Sequence, residues 1–126
     1  MNILERFYDS KSAYDDCIGK ADTVTPDLVR LIIEVAHAPG ITDRDYMSTL
    51  EQFHLNGPIE NLHWVLNLPA SRDPKLLCAL LTFIVRRDRF SCGTGETLIE
   101  LIVDGSISKL IEMMKDAFPA DSIISC

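Results

Sequence analysis

The sequence predicts an all-α fold, a compact multi-helix domain of two helical units with an N-terminal helical cap. Three observations predict it. Apolar residues recur at helical spacing, and no stretch shows the period-two alternation of a half-buried strand. Helix starts and stops are marked by Thr-Pro, Asp-Pro, Asn-Gly and Asp-Gly pairs. The chain also resembles itself at an offset of 48 residues: laying 26–68 on 74–116 without a gap pairs Pro26 with Pro74, Leu28 with Leu76, Thr49 with Thr97, Gly57 with Gly105 and Leu62 with Leu110. Repetition at this period is the mark of stacked helical units, which form binding surfaces more often than catalytic pockets.

Residues 1–24 are read as the cap. Ile3, Leu4, Phe7 and Tyr8 form one apolar patch and Tyr14, Cys17 and Ile18 another, which predicts one bent helix or two short ones. Residues 26–68 are the first unit. Thr25 is a good N-cap and Pro26 suits the first helical position, while Leu28, Leu31, Ile32 and Val35 make the core stripe. Pro39-Gly40 ends that helix. Thr42-x-x-Asp45 reads as a capping box with Asp in place of Glu, opening a helix that turns Tyr46, Met47, Leu50 and Phe53 to one face. Asn56-Gly57 closes it, and Pro58 is expected to start a third helix with Ile59, Leu62, Val65 and Leu66 inward.

Residues 74–116 repeat this grammar. Asp73-Pro74 starts a helix that is apolar nearly all round over residues 76–85, which predicts the buried central helix. Residues 91–95 break the pattern. Leu98, Leu101 and Ile102 mark the next helix, Asp104-Gly105 ends it, and Ser106 is expected to cap the last one, with Ile107, Leu110, Ile111 and Met114 inward. Residues 117–126 are read as a tail.

Composition narrows the function. Among 126 residues, 47% are hydrophobic, so a core can form without disulfides or metal. The longest apolar run, residues 76–85, is about half the length of a membrane span. The N-terminal segment carries Glu5, Arg6 and Asp9 and does not read as a secretory signal, so the expected location is the cytoplasm and the four cysteines are expected to be reduced. Cys17, Cys78, Cys92 and Cys126 show no Cys-x-x-Cys spacing, and His37, His54 and His63 show no i, i+4 pair, so no metal, cofactor or catalytic residue is predicted. Gly93-Thr94-Gly95 lacks the Lys and the preceding strand of a phosphate loop and reads as a helix-entry turn.

Charge is uneven. The net −7 is concentrated in residues 1–63, with 11 acids against 5 bases; residues 64–126 hold 8 acids and 7 bases. An acidic surface disfavours nucleic acid and anionic membranes and suits a basic protein, although acidity also serves plain solubility. The expected partner surface comprises Asp43, Asp45, Glu51 and Glu60, with Tyr46 and Trp64 as aromatic anchors. Arg86, Arg87, Asp88 and Arg89 form the one dense basic cluster. It is either an anion site, because Arg meets anions in bidentate geometry, or an ion-paired helix end favoured by the macrodipole.

The passage Ile102-Val103-Asp104-Gly105-Ser106-Ile107-Ser108-Lys109-Leu110-Ile111 resembles the armadillo turn into the second helix, and Leu55-Asn56-Gly57-Pro58-Ile59-Glu60-Asn61-Leu62 resembles it too. Leu77-Cys78-Ala79-Leu80-Leu81-Thr82-Phe83 is similar to the third helix preceding that turn, so the resemblance covers residues 26–116. The Trp and Asn with which armadillo proteins grip extended peptides are replaced by Leu81 and Val85, and by Ile33 and His37. The resemblance therefore implies stacking geometry without that ligand. Leu80-Leu81-Thr82, Arg86, Asp88-Arg89-Phe90 and Gly93, followed by Asp104-Gly105, also resemble a C-terminal signature of small uncharacterised bacterial proteins.

Size, charge and helical content resemble immunity proteins of contact-dependent growth inhibition. That resemblance implies a non-enzymatic inhibitor that occludes a cognate toxin, often a basic nuclease. Two alternatives are a helical scaffold that binds a peptide or helix, and an anion-binding protein or enzyme using the Arg86 to Arg89 cluster.

Overall fold

The computed structural model describes residues 3–53, 62–68, 72–90 and 96–117, and every element among them is helical. In chain order they are α1 (Ile3–Asp9), α2 (Lys11–Asp16), a 3-10 turn (Ala21–Thr23), α3 (Pro26–Ala36), α4 (Tyr46–Gln52), α5 (Leu62–Leu66), α6 (Pro74–Phe90), α7 (Glu96–Val103) and α8 (Ser106–Ala117). None of the helices among the described residues is long and apolar enough to cross a membrane.

Helix α6 sits at the centre because its sequence offers no polar face over residues 76–85. Leu76, Leu77, Ala79, Leu80, Leu81 and Ile84 are fully buried, and α3, α4, α7 and α8 all pack against it. Asp73 and Pro74 open it as expected: the Asp73 carboxylate accepts the Lys75 N–H at 2.9 Å, and Pro74 lacks the N–H that would otherwise need a partner. The same logic starts α3, where the Thr25 hydroxyl accepts the Leu28 N–H at 3.4 Å.

The N-terminal segment forms two short helices. Ser10 separates them by donating its hydroxyl to the Arg6 carbonyl at 2.8 Å. Their apolar sides carry Leu4, Phe7, Tyr8 and Tyr14 into the core, with the Phe7 and Tyr14 rings edge to face at 6.0 Å. These helices touch both ends of the chain. Helix α1 packs on α3 and α8, and α2 packs on α7 and α8. The Tyr8 hydroxyl donates to the Met114 carbonyl at 3.1 Å and the Tyr14 hydroxyl to the Leu28 carbonyl at 2.7 Å. Farther on, the Gly19 N–H reaches the Val103 carbonyl at the end of α7, 2.9 Å away. The N-terminal segment thus joins α3 to α7 and α8.

Three local expectations are corrected. Thr42 does not cap α4: its hydroxyl donates back to the Ala36 carbonyl at 2.6 Å, and Asp45 occupies the N-cap position. Asp43 instead organises the turn. Its carboxylate accepts the Asp45 N–H at 2.9 Å and the Thr49 hydroxyl at 2.7 Å, taking one donor near the start of the helix. Met47, assigned to the core face, is 64% exposed. At the start of α8 the Asp104 carboxylate accepts the Ser106 N–H at 2.8 Å, whereas the Ser106 hydroxyl is buried without a hydrogen-bond partner among the described residues. Gly105 at that junction has φ +88°, a left-handed conformation that explains glycine between two abutting helices. The predicted start at Pro58 and the break at residues 91–95 lie outside the described residues.

Candidate functional site

Of the residues singled out by charge and aromaticity, Asp43, Tyr46 and Arg86 come together where the 41–45 turn lies against α6. Thr82 is the connection. It is buried on an otherwise apolar helix, so its hydroxyl must find partners. It donates to the Cys78 carbonyl one turn back at 2.9 Å and accepts the Asp43 N–H at 3.1 Å. The turn is thereby fastened to the central helix across 39 residues of sequence.

Asp43 is half-buried and its carboxylate is occupied by the Thr49 hydroxyl and the Asp45 N–H, so it shapes the turn rather than facing solvent as a free acid. Tyr46 packs edge to face on Phe83 at 5.7 Å and 72°, and the Arg86 guanidinium carbon lies 5.5 Å from the Tyr46 ring centroid. Two sets that the sequence kept apart, the acidic α4 set and the Arg cluster, are thus joined through one aromatic ring. Contact of this kind is worth about 0.5–1 kcal/mol at an exposed position. Arg86 and Arg87 are both exposed. Asp45 and Glu51 are exposed as well, and neither makes an ion pair among the described residues. Glu60 and the side chains of Trp64, Asp88 and Arg89 lie outside the described residues.

The feature that sequence reasoning missed is Met47. Tyr46, Leu50 and Phe53 recur at four and three residues and form the inward stripe; Met47 sits some 60° beyond Leu50 at 100° per residue. That offset was available in the sequence as a signal. Met47 and Glu51 lie one turn apart on the outer side of α4, an exposed thioether beside an exposed carboxylate.

A cleft of about 430 Å³ opens between this turn and the start of α6, with Arg44, Thr49, Lys75 and Cys78 in its wall. Burial, and secondarily the nearby Asp43 charge, push the Cys78 thiol up to about 11. It is therefore protonated near neutral pH and a poor nucleophile there. A larger cleft of about 850 Å³ lies beside α8, where Arg72 and Lys109 face Glu112 and Asp116 in a wall of mixed charge. Among the described residues no group of three His, Cys, Asp or Glu side chains is placed to hold a metal ion. Away from the clefts, Asp15 is held below the ordinary carboxylate range, first by the nearby Ser108 hydroxyl, which lies short of a formed hydrogen bond, and then by Lys11 at 3.0 Å, with desolvation opposing.

In comparisons with protein-family models, curated proteins and solved structures, the chain matches none.

Proposed function

We propose that this chain is a non-enzymatic binding protein that occludes a basic protein partner, its most specific form being an immunity-type inhibitor of a cationic toxin. In this reading an armadillo-like stacked frame positions the acidic N-terminal half. The observation that carries the proposal is the outer face of α4, where exposed Met47 is flanked by exposed Asp45 and Glu51. A flexible apolar side chain supplies contact area, while neighbouring carboxylates speed the approach of a positive surface and disfavour acidic competitors. The remaining exposed acids of the first half, including Asp9, Asp16 and Asp22, extend the same potential.

Arg86 reads better as part of the frame than as part of an anion site. Arg86 lies over Tyr46, and that contact fixes one end of α4 on α6.

The test is co-expression with the products of neighbouring genes, followed by affinity measurement. A stoichiometric complex with a basic protein, weakened at least about tenfold by the double reversal Asp45→Lys with Glu51→Lys, supports the proposal. Absence of any such complex, together with turnover of a metabolite by the purified chain, overturns it.

A further inference from the structure

A second surface lies away from α4, in a groove of about 330 Å³ between α3 and α7. Its floor is apolar: Val24, Val29, Ile33 and Ile99, all half-buried, with Pro26 and Arg30 along one wall. Pro26 to Ile33 is about two helical turns, so the groove runs roughly 10 Å along α3.

The 48-residue offset shows what this face lacks. Val29 and Ile33 correspond to Leu77 and Leu81 of α6, both fully buried. In α6 the chain's own helices surround these positions, since α3, α4, α7 and α8 all pack on it. In α3 the equivalent positions stay half open. The groove walls are helices whose backbone groups are bonded internally, so they offer no ladder to an extended strand. An occupant has to satisfy its own backbone, and a helix does so.

Charge selects which helix. The turn and helices that build the groove carry Asp22, Asp27, Glu34, Glu96 and Glu100, all exposed, against the single base Arg30. Arg30 is tied to Asp27 at 3.3 Å and Glu34 meets Arg6 at 3.5 Å; Asp22, Glu96 and Glu100 make no ion pair among the described residues. The groove lining itself holds one charged residue, Arg30, paired with Asp27. The acids without an ion pair are Asp22, on the turn that packs on α7, and Glu96 and Glu100 on α7; with the net −7 of the chain they disfavour a second copy and favour a cationic amphipathic segment. We infer that the α3–α7 groove docks an amphipathic helix of the partner, its apolar stripe on Val29, Ile33 and Ile99 and its lysines or arginines toward Asp22, Glu96 and Glu100. This inference rests on the binding-protein reading and names the surface and the shape of the ligand.

The experiment uses the full chain with labelled Ile and Val methyl groups and an approximately 14-residue helix-forming peptide of Leu and Lys with leucines on one face. A peptide of the same composition in scrambled order is the control. The expected result is saturable binding with methyl shifts at Val24, Val29, Ile33 and Ile99, absent with the scrambled peptide. Ile99→Asp weakens binding about tenfold. Glu96→Lys with Glu100→Lys, changes confined to exposed side chains, weaken it severalfold with unchanged circular dichroism. Shifts centred elsewhere, equal response to the scrambled peptide, or concentration-dependent dimers giving the same shifts without peptide overturn the inference. A basic protein partner whose affinity ignores Ile99→Asp but falls on reversal of Asp45 and Glu51 overturns the groove while leaving the binding reading intact. Peptide docking in the groove with no basic protein partner supports the groove and removes the inhibitor reading.

Discussion

Helices α3 and α6 begin alike and end up in different environments. Each opens with a capping oxygen and a proline, Thr25-Pro26 in one and Asp73-Pro74 in the other, and their apolar positions align residue for residue at the 48-residue offset. Yet α6 is enclosed over residues 76–85, with Phe83 alone half-buried, whereas α3 keeps an open face at Val29 and Ile33. The difference shows that shared helix grammar fixes where a helix starts and which side is apolar, and that the number of neighbours sets how much of that side is covered. Where α6 has Cys78 and Thr82, α3 has Arg30 and Glu34, charged side chains that α6 could not hold in its packed surroundings without desolvation.

The comparison can be broken most directly by truncating equivalent positions. Leu81→Ala should lower unfolding free energy by about 3 kcal/mol, within the 2–5 kcal/mol span for buried Leu to Ala. Ile33→Ala should lower it by only about 1 kcal/mol, since its surface is already partly in water. Urea denaturation of both variants checks this, and equal losses would mean that α3 is as enclosed as α6.

The next effect concerns what fastens α4 to α6. Thr82→Val removes the hydroxyl that joins the Cys78 carbonyl to the Asp43 N–H, leaving that N–H to find water. A loss of about 1–2 kcal/mol is expected, with faster amide hydrogen exchange at Asp43. The equivalent residue in α3, Glu34, is exposed, and Glu34→Val should change stability by less than about 0.5 kcal/mol.

Helix starts sharpen the likeness rather than the contrast. Thr25→Ala and Asp73→Ala should each cost about 1 kcal/mol, because both remove an oxygen that accepts a first-turn N–H. Thermal melts of the pair test whether the two starts are equivalent in energy as well as in sequence.

The smallest expected effect near neutral pH comes from titration, and it falls on both helices, with Cys78 on α6 and Tyr14, also raised by burial, bonded to the Leu28 carbonyl of α3. Cys78 is raised to about 11 and Tyr8 to about 12, in both cases chiefly by burial. A group whose folded value lies above its unfolded one binds its proton more tightly in the native state. Its contribution is complete below the unfolded value and lost as pH rises through the folded one. Stability should be flat near pH 7 and fall between about pH 9 and 12, and Cys78→Ala should reduce that alkaline slope.

Much of the fold was legible because it is local. A Thr or Asp oxygen followed by Pro reaches an N–H within three residues, so Thr25 and Asp73 could be assigned without tertiary knowledge. The enclosure of α6 was legible because residues 76–85 offer no side on which water could be favoured. The errors fall where a local pattern competed with a distant partner. Thr42 resembles a cap, but its hydroxyl finds the Ala36 carbonyl and leaves the turn to Asp43, whose N–H is held by Thr82. Met47 was placed inward because apolarity outweighed its offset from the Tyr46, Leu50 and Phe53 stripe. Of the candidate site, the acids and Tyr46 were legible as types. Their arrangement was not, since the Tyr46–Arg86 and Asp43–Thr82 contacts join segments about 40 residues apart.

By itself the sequence determined the helical character of the described residues, where α3 and α6 begin, and which of their sides is apolar, because those depend on side chains a few residues apart. Only the tertiary structure decided which apolar stripe stays open. The N-terminal helices bridge α3 to α7 and α8, and four helices close around α6, but nothing among the described residues closes over Val29 and Ile33. Burial is set by how many neighbours reach a surface, and that count is a property of the packed chain rather than of any stretch within it.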